Sequence, residues 1–169
     1  MWSKTRRALT DRLADNLKKR VSYSFAEYLT NYHELPVFFI RVDKKTWFIS
    51  DLNFYNIAWS TQNKLMKALP PEMSYNEKYA LTERIASEIT IRNTGFADID
   101  TIMKYIHEYL NELSIDECLS GENCFHYLLA ILDRRVGKRR VKAILDNIEN
   151  EPEWIRRFIL LRAEVENLI

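Results

Sequence analysis

Only three glycines and four prolines punctuate the 169 residues, too few for a linker-rich or disordered chain. Two cysteines, Cys118 and Cys124, cannot build a disulfide framework; in a reducing compartment they stay thiols and read as small core residues. No apolar run approaches the roughly 18 to 20 residues that cross a bilayer. The opening Met1-Trp2-Ser3-Lys4-Thr5-Arg6-Arg7 also lacks the apolar core of a secretion signal, so a cytoplasmic protein without a membrane partner is expected. The isolated glycines supply neither a P-loop nor a Gly-x-Gly-x-x-Gly turn, and there is no Gly-x-Ser-x-Gly elbow. The common nucleotide-binding and hydrolase designs are therefore excluded, and no cofactor is expected.

Metal chemistry is equally poorly served. Cys118, Cys124, His33, His107 and His126 form no Cys-x-x-Cys or His-x-x-x-His pair, and Cys124 and His126 fall on different sides of a helix, so no metal site is expected. Acid pairs such as Glu108 with Glu112, or Asp98 with Asp100, read as solvated faces. General acid-base catalysis needs environments that drive two pKa values apart, and the sequence gives no sign of them. No catalytic residue is assigned.

What the chain does have is apolar material, 47% hydrophobic and 12% aromatic, enough for one domain over residues 1–169. Its net charge of +1 hides strong segregation. Residues 1–20 carry Lys4, Arg6, Arg7, Arg12, Lys18, Lys19 and Arg20 against Asp11 and Asp15, whereas residues 72–122 carry eleven acids against four bases. Opposed segments of this kind either cancel inside the fold or steer partners from its surface.

Periodicity predicts an α+β domain: a helix and β layer over residues 1–52, then a helical layer over 53–169. Trp2, Leu9, Leu13 and Leu17 predict an amphipathic helix over residues 3–19. From Val21 the alternation of Val21, Tyr23 and Phe25 with Ser22 and Ser24 predicts a strand. Val37 to Val42 and Thr46 to Ile49, separated by Asp43-Lys44-Lys45, read as a β-hairpin, giving an antiparallel sheet of about three strands.

Helices follow. Leu65, Met66 and Leu69 close a short one stopped by Pro70-Pro71, and Tyr79, Leu81, Ile85, Ile89 and Ile91 mark the next, up to a break at Asn93-Thr94-Gly95. Asp98 or Asp100 caps a helix whose stripe is Ile99, Ile102, Met103, Ile106, Leu110 and Leu113. Ser114-Ile115-Asp116-Glu117 has capping-box form. A further helix over Phe125 to Leu132 is expected to end at a left-handed Gly137. Trp154, Phe158, Leu161, Val165 and Leu168 define the last helix, with Pro152 in its first turn. Leu13, Leu17, Phe39, Leu128, Leu132, Phe158 and Leu161 are expected in the core. The aromatic middle, Trp47, Phe48, Phe54, Tyr55 and Trp59, also reads as core, with Asn53-Phe54-Tyr55-Asn56 open as an exposed binding loop.

The chain resembles a family of uncharacterised bacterial proteins at two separated places. One is the Trp2-Ser3-Lys4 opening with Leu9, Leu13, Leu17-Lys18 and the basic turn Arg20-Val21-Tyr23. The other is Leu129-Ala130-Ile131-Leu132-Asp133-Arg134-Arg135-Val136-Gly137-Lys138-Arg139-Arg140 with Phe158 and Leu161-Arg162-Ala163-Glu164. Where such sequences close with Ala-Glu-Gly, this chain has Val165-Glu166-Asn167. The resemblance implies no reaction, cofactor or substrate.

One site candidate remains: the cations Arg134, Arg135, Lys138, Arg139, Arg140 and Lys142 around Gly137. Arg forks recognise carboxylates and phosphates, so this corner either binds an anionic partner or clamps acidic neighbours such as Asp133 and the acids of residues 98–122. The expected role is a non-enzymatic protein-interaction module whose partner is another protein. The alternative is nucleic-acid binding through the same corner, although aromatics for base stacking are missing from it.

Overall fold

A computed structural model describes residues 2–26 and 36–169 of the protein; His33 lies outside the described residues. The sheet follows the alternation of the sequence. β1 (Val21–Ala26), β2 (Val37–Val42) and β3 (Lys45–Ile49) pair antiparallel in the order β1-β2-β3, with Val21 opposite Val42 and Phe25 opposite Phe38. Asp43 and Lys44 alone join β2 to β3, with φ of 49° and 68°, the doubly left-handed turn whose twist matches a tight hairpin. A bulge between Ile40 and Arg41 bends β2. Phe38, Ile40 and Val42 enter the core, whereas Ser22 and Arg41, opposite one another on β1 and β2, do not.

The amino-terminal helix is shorter than its leucine spacing predicts. α1 covers Trp2–Arg12 and a 3₁₀ turn follows at Asp15–Leu17. Between them Leu13 forms an isolated antiparallel bridge with Asp133: Ala14 N donates to Leu132 O at 2.9 Å, and Arg134 N to Arg12 O at 2.8 Å. The backbone at residues 12–14 thus takes partners from a distant segment instead of from its own turn. Leu13 and Leu17 are buried all the same.

α2 (Asn53–Ala68) and α3 (Tyr75–Thr94) form a helical hairpin. α2 is longer than expected, and Asn53 to Asn56 form its first turns, not a loop. A Ser74/Glu77 capping box starts α3, and Gly95 ends it at φ 70°, the left-handed cap glycine favours. The buried residues of α3 are Thr82, Ala86, Thr90 and Ile91, whereas Leu81 and Ile85 are 54% and 49% exposed. Of the aliphatic residues that marked this helix Ile91 is buried and Leu81 and Ile85 are not; the rest of the buried face is made of small side chains, which admit a close helix neighbour. Within the aromatic middle Phe48 and Phe54 are buried, but Tyr55 and Trp59 are about half exposed.

The remaining helices carry their own start signals. Asp98 caps α4 (Ile99–Asn111), a Ser114/Glu117 box caps α5 (Ile115–Ser120), and Asn123 caps α6 (Cys124–Leu132). α7 (Lys138–Leu145) and α8 (Glu153–Val165) follow, with Pro152 just ahead of α8 rather than inside its first turn. Every residue of α6 except Tyr127 is buried, as expected of a helix apolar on all sides. Phe125 meets Phe48 of β3 at 5.3 Å and Phe38 of β2 at 6.2 Å between ring centroids, so sheet and helices share one core. All seven residues expected in that core are buried, and so are both thiols. None of the described helices is long and apolar enough to cross a membrane.

Candidate functional site

The basic corner divides into an inner and an outer half. α6 ends at Leu132, and residues 133–137 run as a turn before α7. Gly137 does not adopt the left-handed conformation that the sequence suggested: at φ −73° and ψ 163° it is the extended residue ahead of α7. The turn needs no left-handed residue because Asp133 itself leaves the helix in an extended conformation, held by the bridge to Leu13.

Asp133 is the hub of the inner half. Its side chain is fully buried and accepts from Arg135 Nη2 at 2.7 Å, from the Arg135 backbone N–H at 2.8 Å, and from the Tyr109 hydroxyl at 2.5 Å. Burial, with the Asp133 carboxylate next to it, pushes the Tyr109 phenol up. The bond to Asp133 holds the Arg135 guanidinium above its ordinary range. Arg12 completes the bracing by donating to the carbonyls of Tyr109 and Leu110 at 2.8 and 2.6 Å, a cation at the carboxyl end of α4 where the helix dipole favours it. Arg135 is therefore a clamp.

Arg162 is a clamp that sequence reasoning missed. Only 2% exposed, it donates to Val136 O at 2.9 Å and pairs with Glu166 at 3.0 Å. Burial holds its pKa below the usual arginine value, against the pull of Glu166 and Asp133. A signal did exist: Arg162 stands four residues after Phe158 and seven after Ile155, on the buried stripe of α8.

In the outer half Arg140 pairs with Asp116 of α5 at 2.6 Å, both side chains being about half exposed or more. Arg134, Lys138, Arg139 and Lys142 are exposed and have no ion-pair partner among the described residues. At about 100° per residue, Lys138, Arg139 and Lys142 share one sector of α7, whose Lys138 edge borders buried Val141 and whose Arg139 edge points away from it. Arg140 is turned about 100° further. Lys138 and Arg139 in the first turn of α7 sit at the positive end of its dipole, an unfavourable place without an anion nearby, whereas Lys142 lies in its last turn.

The bridge at Leu13 also lays the amino-terminal basic segment against this corner. Asp15 lies between them: Lys18, bonded at 2.6 Å, lowers its pKa, and Arg134 adds to the effect. Lys18 and Arg134, far apart in sequence, thus both act on one carboxylate.

A second polar cluster lies under α3. His126 Nε2 is 3.1 Å from the Tyr105 carbonyl and 3.2 Å from Glu108 Oε2; Arg84 reaches Glu108 at 3.5 Å and Glu88 at 2.9 Å. A carbonyl only accepts, so Nε2 carries the hydrogen. Burial, reinforced by Arg84, outweighs the Tyr105 carbonyl bond and Glu88 and pushes His126 down to about 4, so the ring is neutral near pH 7. Glu108, read as part of a solvated face, is in fact largely enclosed, whereas Glu112 reaches only exposed His107. Asp98 is likewise a buried cap and Asp100 exposed. No group of three or more His, Cys, Asp or Glu side chains suited to a metal ion occurs among the described residues.

No curated protein and no solved structure matches the chain. A family model described as the SF0329 protein family matches residues 1–163. That span takes in the amino-terminal helix, the sheet, the basic corner and nearly all of α8, and the chain belongs to the SF0329 protein family.

Proposed function

We propose that this is a non-enzymatic interaction module of the bacterial cytoplasm that binds an acidic surface of another protein through the outward face of α7. One observation carries the reading. Internal carboxylates engage Arg135 and Arg140, while Lys138, Arg139 and Lys142 project from one helix sector with no carboxylate partner among the described residues. Long cationic side chains on a rigid, packed helix suit electrostatic steering of a partner, which acts on association rate more than on final affinity. The aromatics that stack nucleic-acid bases are missing from this face, so a protein carboxylate surface fits it better than a single strand does.

The test is affinity capture from the native host, comparing wild type with Arg139→Glu/Lys142→Glu, followed by binding kinetics on the purified partner. The expected result is an acidic partner whose association slows at least about tenfold in the variant and with rising salt. A partner that binds both forms equally overturns the reading.

Nucleic acid is the competing ligand, favoured by the juxtaposition of the two basic segments at the Leu13 bridge. For duplex DNA the logarithm of affinity falls with the logarithm of salt by about 0.9 per phosphate contact, and Arg139→Ala/Lys142→Ala then lowers that slope by about two. Such a slope would replace the protein partner with a duplex.

A further inference from the structure

A second concentration of positive charge, apart from α7, lines an open cleft of about 470 Å³. Lys18, Lys19 and Arg20, after the 3₁₀ turn, form one wall; Arg41 and Lys44, at the end of β2 and in the hairpin turn, form the other. Ser22, directly opposite Arg41 in the sheet, also lines it. Among the described residues the cleft is lined by a single carboxylate, Asp43, and that group is already engaged.

Arg20 grips Asp43 through Nε and Nη2, the shortest contact being 2.7 Å, and reaches Glu164 through Nη1 at 2.9 Å. This bond holds the Asp43 carboxyl below its usual range, so it stays ionised and committed to Arg20. Lys18 is paired with Asp15. Lys19, Arg41 and Lys44 have no ion-pair partner among the described residues.

Two features argue that the cleft is built for a ligand. The Arg41 guanidinium lies 4.9 Å over the Phe39 ring, which holds a planar, five-donor group in place at the cleft wall. Lys44 occupies a left-handed position, φ 68°, where a hairpin turn favours glycine or asparagine. The turn therefore places Lys44 beside Lys18, Lys19, Arg20 and Arg41 at the cleft. Concave walls lined by one sign of charge concentrate the field on a counter-ion.

We infer that this cleft binds a small, multiply charged phosphate compound. Its volume lies within the roughly 300 to 1,000 Å³ of small-ligand sites. Among the described residues Val21 is its one aliphatic lining residue and no aromatic lines it; Phe39 is only 4% exposed. Recognition therefore rests on charge and hydrogen bonding, as suits a chain of phosphate groups and not a stacked base. The site shares no residue with the α7 face, so it stands or falls separately from the proposed protein partner.

Calorimetric titration of the whole chain with inorganic tripolyphosphate at low ionic strength tests this. Expected are saturable one-site binding, weakening by at least about tenfold in Arg41→Ala/Lys44→Ala, and a change of no more than about twofold in Arg139→Ala/Lys142→Ala. Lys19→Ala, which alters an exposed and unpaired side chain, is expected to weaken binding severalfold, and it keeps the test decisive if the hairpin variant unfolds. Absence of saturable binding overturns the proposal, as does equal weakening by both double variants, which would indicate diffuse surface attraction. A single-stranded oligonucleotide that binds the same residues more tightly than tripolyphosphate also overturns it, in favour of a nucleic-acid backbone.

Discussion

The inner and outer halves of the basic corner are separated by a few residues and obey different physics. Arg135 shares with Tyr109 a carboxylate that is wholly out of water, whereas Lys138, Arg139 and Lys142 face solvent from a short helix. A buried charge is costly to leave unpaired, so the inner set is mutually dependent; exposed charges are screened and nearly independent of one another. One run of cations thus supplies both a structural clamp and an exposed, unpaired charged face among the described residues. The dividing point is where the chain leaves the bridge to Leu13.

The largest expected effect is on the inner side. Asp133→Ala strands the Tyr109 hydroxyl and releases Arg135, and is expected to cost about 3 to 4 kcal/mol in urea denaturation. A cost below about 1 kcal/mol would erase the contrast between the halves.

Gly95→Ala comes next, at about 1 to 2 kcal/mol. Its φ is 70°, and a Cβ would lie 3.1 Å from the Trp154 ring. Gly137→Ser is the counterpart at the corner: φ is −73° and a Cβ added there would have no neighbour within 4 Å. A serine there is expected to cap α7 and raise stability by about 0.5 kcal/mol. Thermal denaturation of both variants separates a glycine demanded by backbone and space from one that is not. Equal losses would show that the turn before α7 is as constrained as the end of α3.

The buried histidine gives the comparison a pH axis. The folded-state value of about 4 for His126 lies below the unfolded value near 6.5, so the unfolded chain binds the extra proton. The associated stability is complete above about pH 6.5 and is lost as the pH falls towards 4. Denaturant midpoints for wild type should therefore drop more steeply across this window than those of His126→Gln. Parallel curves would mean that Glu108 stabilises the imidazolium enough to cancel burial.

The smallest effects belong to the outer half. Arg140→Ala removes an exposed ion pair and is expected to cost less than about 1 kcal/mol. Arg139→Ala/Lys142→Ala should leave the denaturation midpoint unchanged within about 0.5 kcal/mol while altering partner binding. A large loss of stability in that pair would place these cations among the clamps.

The cluster itself, the hairpin and most helix starts were legible in the sequence, because each depends on neighbours. Asp43-Lys44 between two extended runs, Asp98 ahead of α4, and Ser114 with Glu117 act within a few residues, and each holds its turn or helix start in the fold. The buried face of α3 was not legible. Leu81 and Ile85 have helical spacing, but Thr82, Ala86 and Thr90 are buried instead, since the preference for small residues arises only once neighbouring helices lie alongside. The end of α1 was hidden for a similar reason: the backbone that interrupts it belongs to residues 132–134.

By itself the sequence determined the α+β order of elements, the segregation of charge, and a core containing Leu13, Leu17, Leu128, Leu132, Phe158 and Leu161, because periodicity and capping are local properties. Only the tertiary structure decided which cations are clamps and which are free. That division depends on where carboxylates and low-dielectric surroundings arrive in space: Asp133 beneath Arg135, Asp116 beside Arg140, and none of the described carboxylates paired with Arg139 and Lys142. Sequence distance carries no information about these meetings, since the bridge that sets the corner joins residues 13 and 133.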